Sequence, residues 1–210
     1  MLSIPETVWG ELLDAFALAP PGHERVAYLD GFRFRDADGV LHGVATTVTV
    51  PDAATSPGRY TVTSAAMNRA GSHFERLGLV RLAQIHTHGG RHVRHSWVDD
   101  QQAYSQMDGA LSLVLPHHAA GRPTPVHAGV HLRGPEGWTR VHGAGIHQVL
   151  RLVPSLIDHR STPWTTSPTG TREISKAGSR RSRIFSRWPW RSSSIRARPT
   201  GPATSTPPGC

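Results

Sequence analysis

The sequence predicts an α/β fold of the α+β kind, a mixed sheet flanked by helices. Three observations lead there. Helical apolar spacing recurs in separate blocks near 6–18 and 64–77. Strand-like runs rich in Val, Ile, Leu and Thr fill the intervals. Proline, glycine and Asp-Gly punctuation separates one block from the next. The resulting order, α-β-β-α-β-α-β-β, calls for helices packed on one sheet.

Each element has its own signal. Residues 6–18 place Val8, Leu12, Leu13, Phe16 and Leu18 near helical spacing, and Pro20-Pro21-Gly22 stops that helix. Residues 24–35 read as a strand, with Val26, Tyr28 and Phe32 apolar among polar neighbours. Asp36-Ala37-Asp38-Gly39 is a turn, and 40–50 returns as the second strand of a hairpin. Ser56-Pro57-Gly58 marks a loop before a short strand at 60–63. A second helix covers 64–77, turning Ala65, Met67, Phe74 and Leu77 toward a core, and Gly78 ends it. Residues 79–87 form a buried strand. A loop then leads to a helix over 97–107 with Ser96 as its N-cap. A short apolar strand at 111–115 follows, and 125–132 with 138–142 form a last hairpin.

Composition divides the chain. Its 210 residues suffice for one domain with a real core and something more. The net charge of +8 is unevenly spread. Residues 1–150 carry 12 Arg and no Lys against 13 acids, a net of −1. Residues 151–210 carry 10 Arg and Lys176 against Asp158 and Glu173, a net of +9. A basic whole-chain balance would suggest nucleic-acid binding, but the split removes that reading from the first 150 residues. We therefore expect one domain over 1–150 and a basic, Arg/Ser/Pro-rich disordered tail over 151–210. That tail reads either as a loose contact for acidic partners or as out-of-frame sequence from a GC-rich gene. No run of eighteen apolar residues exists, and the N-terminus lacks a basic start followed by an apolar run. No membrane span and no secretory signal are expected. The only cysteine, Cys210, excludes an internal disulfide and a thiolate metal site, so cytoplasm is the default compartment.

Chemistry concentrates between residues 86 and 99. His86 and His88 lie two apart on a predicted strand, so both point to one face with Cβ atoms about 7 Å apart. Asp99 falls in the first turn of the next helix, where a carboxylate is favoured. Two imidazoles and one carboxylate suit zinc with a fourth position open, the pattern of a catalytic ion. Such a centre needs a carboxylate base near the metal and not bound to it. Glu24, at the start of the first strand, is our candidate. Ser96 could donate to the oxyanion of a tetrahedral intermediate, in competition with its role as helix cap.

His86-x-His88-x7-Ser96-x2-Asp99 resembles the JAMM signature of the JAB/MPN metallopeptidases in residue type and spacing. The stretch Glu24-Arg25-Val26-Ala27-Tyr28-Leu29-Asp30-Gly31 is similar to the family's Glu-x-x-Gly-x-Leu-x-Gly, with Ala27 where glycine is common. Gly89-Gly90 stands where the family usually has proline after the second histidine. The resemblance covers roughly residues 20–145. It implies a JAB/MPN-like, cytidine-deaminase-like sandwich and one Zn2+ per chain held by His86, His88 and Asp99. It implies Glu24 and Ser96 as catalytic groups, and hydrolysis of a peptide or isopeptide bond. The substrate would be the C-terminal tail of a ubiquitin-like or sulfur-carrier protein, with a ubiquitin-activating-like enzyme as partner.

Other readings compete. A RadC-type protein shares the spacing, but its Pro-Ser-Gly stretch is not matched by Gly89-Gly90-Arg91. A metal-free MPN-like scaffold typically loses ligands, and none is missing. Nucleic-acid binding by the tail predicts steep salt dependence. Among the remaining histidines, His92 and His95 read as a solvated basic loop, His117 and His118 as ordinary loop residues, and His127 and His131 as an outer strand face. Trp97 reads as a packing residue, and Asp100 and Tyr104 as groups that could support the ligands.

Overall fold

The computed structural model describes residues 1–157. Strand β1 (Leu2–Pro5) leads straight into helix α1 (Glu6–Ala17). Pro5 precedes the first turn, where its missing N–H costs nothing, and Glu6 complements the helix dipole. Val8, Trp9, Leu12, Leu13 and Phe16 make its buried face. Burial of side chains of this size stabilises by roughly 1.5–3 kcal/mol each relative to exposure. Leu18, expected on that face, lies past the helix end and is 90% exposed; Trp9 takes its place and donates from Nε1 to the Pro123 carbonyl.

Strands β2 (Val26–Arg35) and β3 (Leu41–Thr49) form the expected hairpin. Its register shifts at Asp30/Gly31, where a Cβ on Gly31 would lie 2.0 Å from the Val44 carbonyl oxygen. Only glycine fits that close approach. A small separate hairpin follows, β4 (Ala53–Ser56) with β5 (Arg59–Val62). Helix α2 (Ser64–Arg76) starts on Thr63, whose hydroxyl accepts from the Ala66 N–H. Of the four residues expected to face a core, Met67 does so, partly buried against a small cluster of Val26, Tyr28 and Tyr60, and Phe74 is half-buried, while Ala65 and Leu77 are exposed. Ala66 is the one fully buried residue of the helix.

Strand β6 (Val80–Thr87) precedes helix α3 (Trp97–Gln102) and strand β7 (Leu111–Leu115). Helix α3 stops well short of 107. Ala103 leaves helical geometry, and the Tyr104 N–H donates to Gln84 Oε1 of β6 instead of continuing the helix. Strands β8 (Gly129–Gly134) and β9 (Gly137–Val141) form the last hairpin, and residues 125–127 are a short 3-10 turn rather than strand. Helix α4 (Gly145–Val149) and strand β10 (Leu150–Val153) complete the described chain.

The main sheet is mixed, in the order β10-β1-β3-β2-β6-β7-β8-β9. The α/β class with helices flanking one mixed sheet is therefore present. The apolar face of helix α1 shares one continuous core with Leu29, Ala83, Ile85 and Leu113 of the sheet. Strand β10 pairs in parallel with β1, so regular structure runs three residues past the expected boundary at 150. The rest of the expected tail, 158–210, lies outside the described residues. No helix among the described residues is long and apolar enough to cross a membrane.

Candidate metal centre

Strand β6 pairs antiparallel with β2 and parallel with β7, and its C-terminal end carries the histidines. Ends of this kind leave a crevice between neighbouring loops, a common place for ligands. His86 is fully buried on β6. His88 lies one residue past the strand, but its backbone is held on both sides: its N–H donates to the Leu115 carbonyl at 2.9 Å, and its carbonyl accepts from the His118 N–H at 2.8 Å. His117 and His118 are thus not free loop. Their turn has left-handed backbone at His117, His118 and Ala119, strain that persists because these contacts over-determine it.

The register places the fourth group. Val26 pairs with His86, and the Thr87 N–H donates to the Arg25 carbonyl at 3.0 Å. Continued by one more residue, this pairing sets Glu24 across from His88. Glu24 precedes β2 rather than beginning it, and its N–H is fastened to the Ser56 carbonyl of β4 at 2.8 Å. Glu24, Tyr60, His88, Ser96, Trp97 and Asp99 all line one cavity of about 460 Å3.

His86, His88 and Asp99 offer ligand atoms that all lie within 4.8 Å of one another, and this set could hold a metal ion. His86 Nε2 stands 3.3 Å from Asp99 Oδ1, and His88 Nε2 stands 3.4 Å from Asp99 Oδ2. Both ring nitrogens of His86 are buried with no hydrogen-bond partner among the described residues. Such orphaned nitrogens cost free energy unless something binds them. His88 Nδ1 lies 3.0 Å from the His92 carbonyl, which can only accept. That contact assigns the proton to Nδ1 and leaves the Nε2 lone pair facing a carboxylate oxygen. The pairing is repulsive until a cation or proton lies between.

Electrostatics match this geometry. Burial would raise the Asp99 carboxyl, but His86, His88 and the Ser96 N–H hold it far below the usual carboxylate range. Burial pushes the His86 imidazole down, against the opposing pull of Asp99, so the neutral form that ligates metal is favoured. Burial raises the Glu24 carboxyl; His88 lowers it and Asp99 raises it further.

Ser96 caps α3. Its hydroxyl accepts from the Asp99 N–H at 3.2 Å and donates to Asp99 Oδ2 at 2.8 Å, while the Ser96 N–H donates to the same oxygen at 2.6 Å. This reciprocal box orients Asp99. The single hydroxyl proton is committed to Asp99, so donation to an oxyanion requires the hydroxyl to rotate. Trp97 does not pack as expected: it is 72% exposed, on the cavity wall.

The other histidines divide in a way the sequence did not signal. His95 is not a solvated loop residue, since its side chain is 4% exposed. Nor does His131 face outward; it is buried, and its ring stacks on His95 with centroids 3.8 Å apart. Burial, then His95 and Arg140, push the His131 imidazole down to about 3. Asp100 supports His95, and Tyr104 reaches the Leu82 carbonyl and the Gln84 side chain rather than a ligand. Tyr60, on β5, was legible in no motif; its ring lies 5.2 Å from that of His86, and its hydroxyl accepts from Gln84 Nε2 at 2.7 Å.

No family model matches the chain, and no curated protein matches it. Solved structures do resemble it. The solution structure of a protein from Desulfitobacterium hafniense is similar with a TM-score of 0.55 at 19% identity, over 76% of this chain and 97% of that one. The solution structure of a protein from Salinibacter ruber is similar with a TM-score of 0.44 at 16% identity, over 69% of this chain and 92% of that one. At this level of identity the likeness concerns fold alone, and the first structure is the one that carries it.

Proposed function

We propose that this chain is a zinc-dependent hydrolase of the JAB/MPN type, with a JAB/MPN-like, cytidine-deaminase-like sandwich fold, that cleaves a peptide or isopeptide bond. One observation carries the reading: His88, Asp99 and a separate buried carboxylate, Glu24, line one cavity, and the fully buried His86 offers a nitrogen within 4.8 Å of the other two ligand groups. The ligand types suit zinc, two imidazole nitrogens and a carboxylate. His86 Nε2 lies 3.3 Å from Asp99 Oδ1 and His88 Nε2 lies 3.4 Å from Asp99 Oδ2, so each ring faces one carboxylate oxygen. The set contains three protein ligands, which leaves the fourth position of a tetrahedral ion for water or substrate.

A zinc held here supplies Lewis acidity, lowering the pKa of water and polarising a carbonyl. The chain's own groups supply the rest. Glu24 accepts the proton of the attacking water and passes it to the leaving amine. Its raised pKa suits both duties, since a carboxylate nearer neutrality is a stronger base and is more readily reprotonated. Ser96 holds Asp99 in the ground state, and rotation of its hydroxyl provides a donor for the oxyanion. The β4–β5 hairpin and Trp97 wall the cavity where a substrate strand would enter. We take that substrate to be the tail of a ubiquitin-like or sulfur-carrier protein, with a ubiquitin-activating-like enzyme as partner, and the compartment to be the cytoplasm. Nucleic acid has no place in this reading, because residues 1–150 carry no basic excess.

Metal analysis of the purified full-length chain tests the first step, with about one zinc per chain expected. Substituting Glu24→Gln should leave zinc in place and slow cleavage of a ubiquitin-like fusion by about 10²–10⁴-fold. A chain without stoichiometric zinc defeats the reading, and undiminished cleavage by the variant removes Glu24 from its role.

A further inference from the structure

The loop between β6 and α3 carries three parts of the centre. It holds His88, the His92 carbonyl that orients His88, and the Ser96 cap that orients Asp99. Gly89-Gly90 gives it no stiffness of its own. Its near end is held by the backbone bonds of His88 and by the Gly90 carbonyl, which accepts from the His117 N–H at 3.0 Å, and two further contacts hold its far end. The first is a close approach of backbones. The Val93 carbonyl lies against Gly129 of β8, where a Cβ would sit 1.7 Å from that oxygen.

The second is His95. Its Nδ1 lies 2.8 Å from Asp100 Oδ1, and its Nε2 lies 3.0 Å from Ser112 Oγ. Its backbone N–H donates to His131 Nε2 at 3.3 Å, and its ring stacks on that of His131 at 19°. One side chain thus joins the loop, α3, β7 and β8. Ser112 pairs in register with Gln84, two residues before His86 on the neighbouring strand. His95 therefore fixes the loop relative to the strand that presents the first ligand.

Asp100, His95 and Ser112 are connected in the order of an acid–base–nucleophile triad. Ser112 is fully buried in the middle of β7 and does not line the cavity, so no substrate carbonyl reaches its hydroxyl. The chain of hydrogen bonds serves as a tie. Burial also pushes the His95 imidazole down against the pull of Asp100, in keeping with a neutral ring that donates to Asp100 and accepts from Ser112.

We propose that His95 is the positioning residue of the metal centre: its tie to Asp100 and Ser112 holds His88 and Asp99 at the separation one small divalent cation requires. The inference rests on the metal reading above, and deepens it by naming what sets metal affinity and coordination geometry at the far end of the loop.

Cobalt(II) provides the test, because its visible spectrum reports coordination geometry. The full chain is stripped with chelator and titrated with Co2+ in the wild type and in His95→Phe, which keeps an aromatic ring against His131 and loses both side-chain hydrogen bonds. Thermal unfolding of the metal-free proteins runs alongside. The tie predicts a 10- to 100-fold loss of affinity, the range for groups that orient metal ligands. It also predicts a weaker, shifted cobalt spectrum, which a purely structural role would leave unchanged. Ser112→Ala and Asp100→Asn, each removing one of the two bonds, should fall between wild type and His95→Phe, and they carry the test if His95→Phe does not fold. Wild-type affinity and spectrum in these variants overturn the proposal, whatever happens to the unfolding temperature. A wild-type chain that binds no Co2+ overturns the metal reading and this tie together.

Discussion

Two buried carboxylates, Asp30 and Asp99, face opposite circumstances. Asp30 sits at the bulge of β2 with no exposed surface. Arg81 reaches it from β6, with Nε at 3.1 Å, and Thr49 donates at 2.6 Å. The guanidinium also lies over the Tyr28 ring at 3.8 Å. A permanent cation, a hydroxyl and an aromatic face complete that charge. Asp99 instead faces two imidazoles, one orphaned on both nitrogens and the other presenting a lone pair. The first arrangement is closed and needs nothing further. The second has Ser96 on one oxygen, and its contacts with the two imidazoles close only around a proton or an exchangeable cation. Burial of a charge alone therefore does not distinguish a structural pair from a site; the completeness of its partners does.

The contrast can be broken at either end. The largest effect belongs to Asp99→Asn, which removes the only anionic ligand. Zinc affinity should fall on the order of 10⁴-fold while the metal-free chain stays folded, as read by chelator competition and circular dichroism. Tight zinc retention in that variant would show that Asp99 is as structural as Asp30. Next comes Arg81→Met, which strands Asp30 without its cation. It should cost about 3–5 kcal/mol in urea unfolding and leave the zinc affinity of the folded protein unchanged. A cost near zero would mean that the Asp30 pair is no more closed than the metal cluster.

The smallest effect sharpens the comparison. Glu24 is raised above its ordinary value of 4.5, chiefly by burial, so its ionised form weakens the fold. The cost is absent below 4.5, grows as pH rises through the folded pKa, and is complete above it. In metal-free protein, Glu24→Gln should therefore be more stable than wild type at neutral pH, with the gap closing as pH falls toward 4.5. Equal urea midpoints at both pH values would contradict this sign. A gain in stability from losing Glu24 would be the usual mark of a group kept for function.

Much of the site was legible because metal ligation demands residue type and spacing together. His86 and His88 share a face by strand alternation, and Ser96 and Asp99 announce a helix start three residues apart. Glu24 was legible mainly through resemblance, since nothing local says which strand will lie beside β6. The role of Ser96 was left between cap and oxyanion donor until its hydroxyl was seen on Asp99. His95 and His131 could not be found, because a histidine in a basic loop looks the same whether it is solvated or stacked beneath the loop.

The fold divides along the same line. The sequence by itself determined α1, the β2–β3 hairpin, β6, β7 and the three residues that could hold a metal ion, because strong periodicity and turn chemistry are local. It could not determine what depends on distant partners. Strands β1 and β10 are four residues each; β10 exists by pairing in parallel with β1 across nearly 150 residues of chain, and β1 pairs on its other side in parallel with β3. Helix α2 has helical spacing but covers only a small cluster of Val26, Tyr28 and Tyr60, and α3 ends where Gln84 captures the next N–H. Tertiary structure alone decided that Glu24 meets His88, through an antiparallel register, and that His95 becomes a buried tie. Side-chain spacing sets which groups can share a face; only the packing of separate strands decides which of them meet.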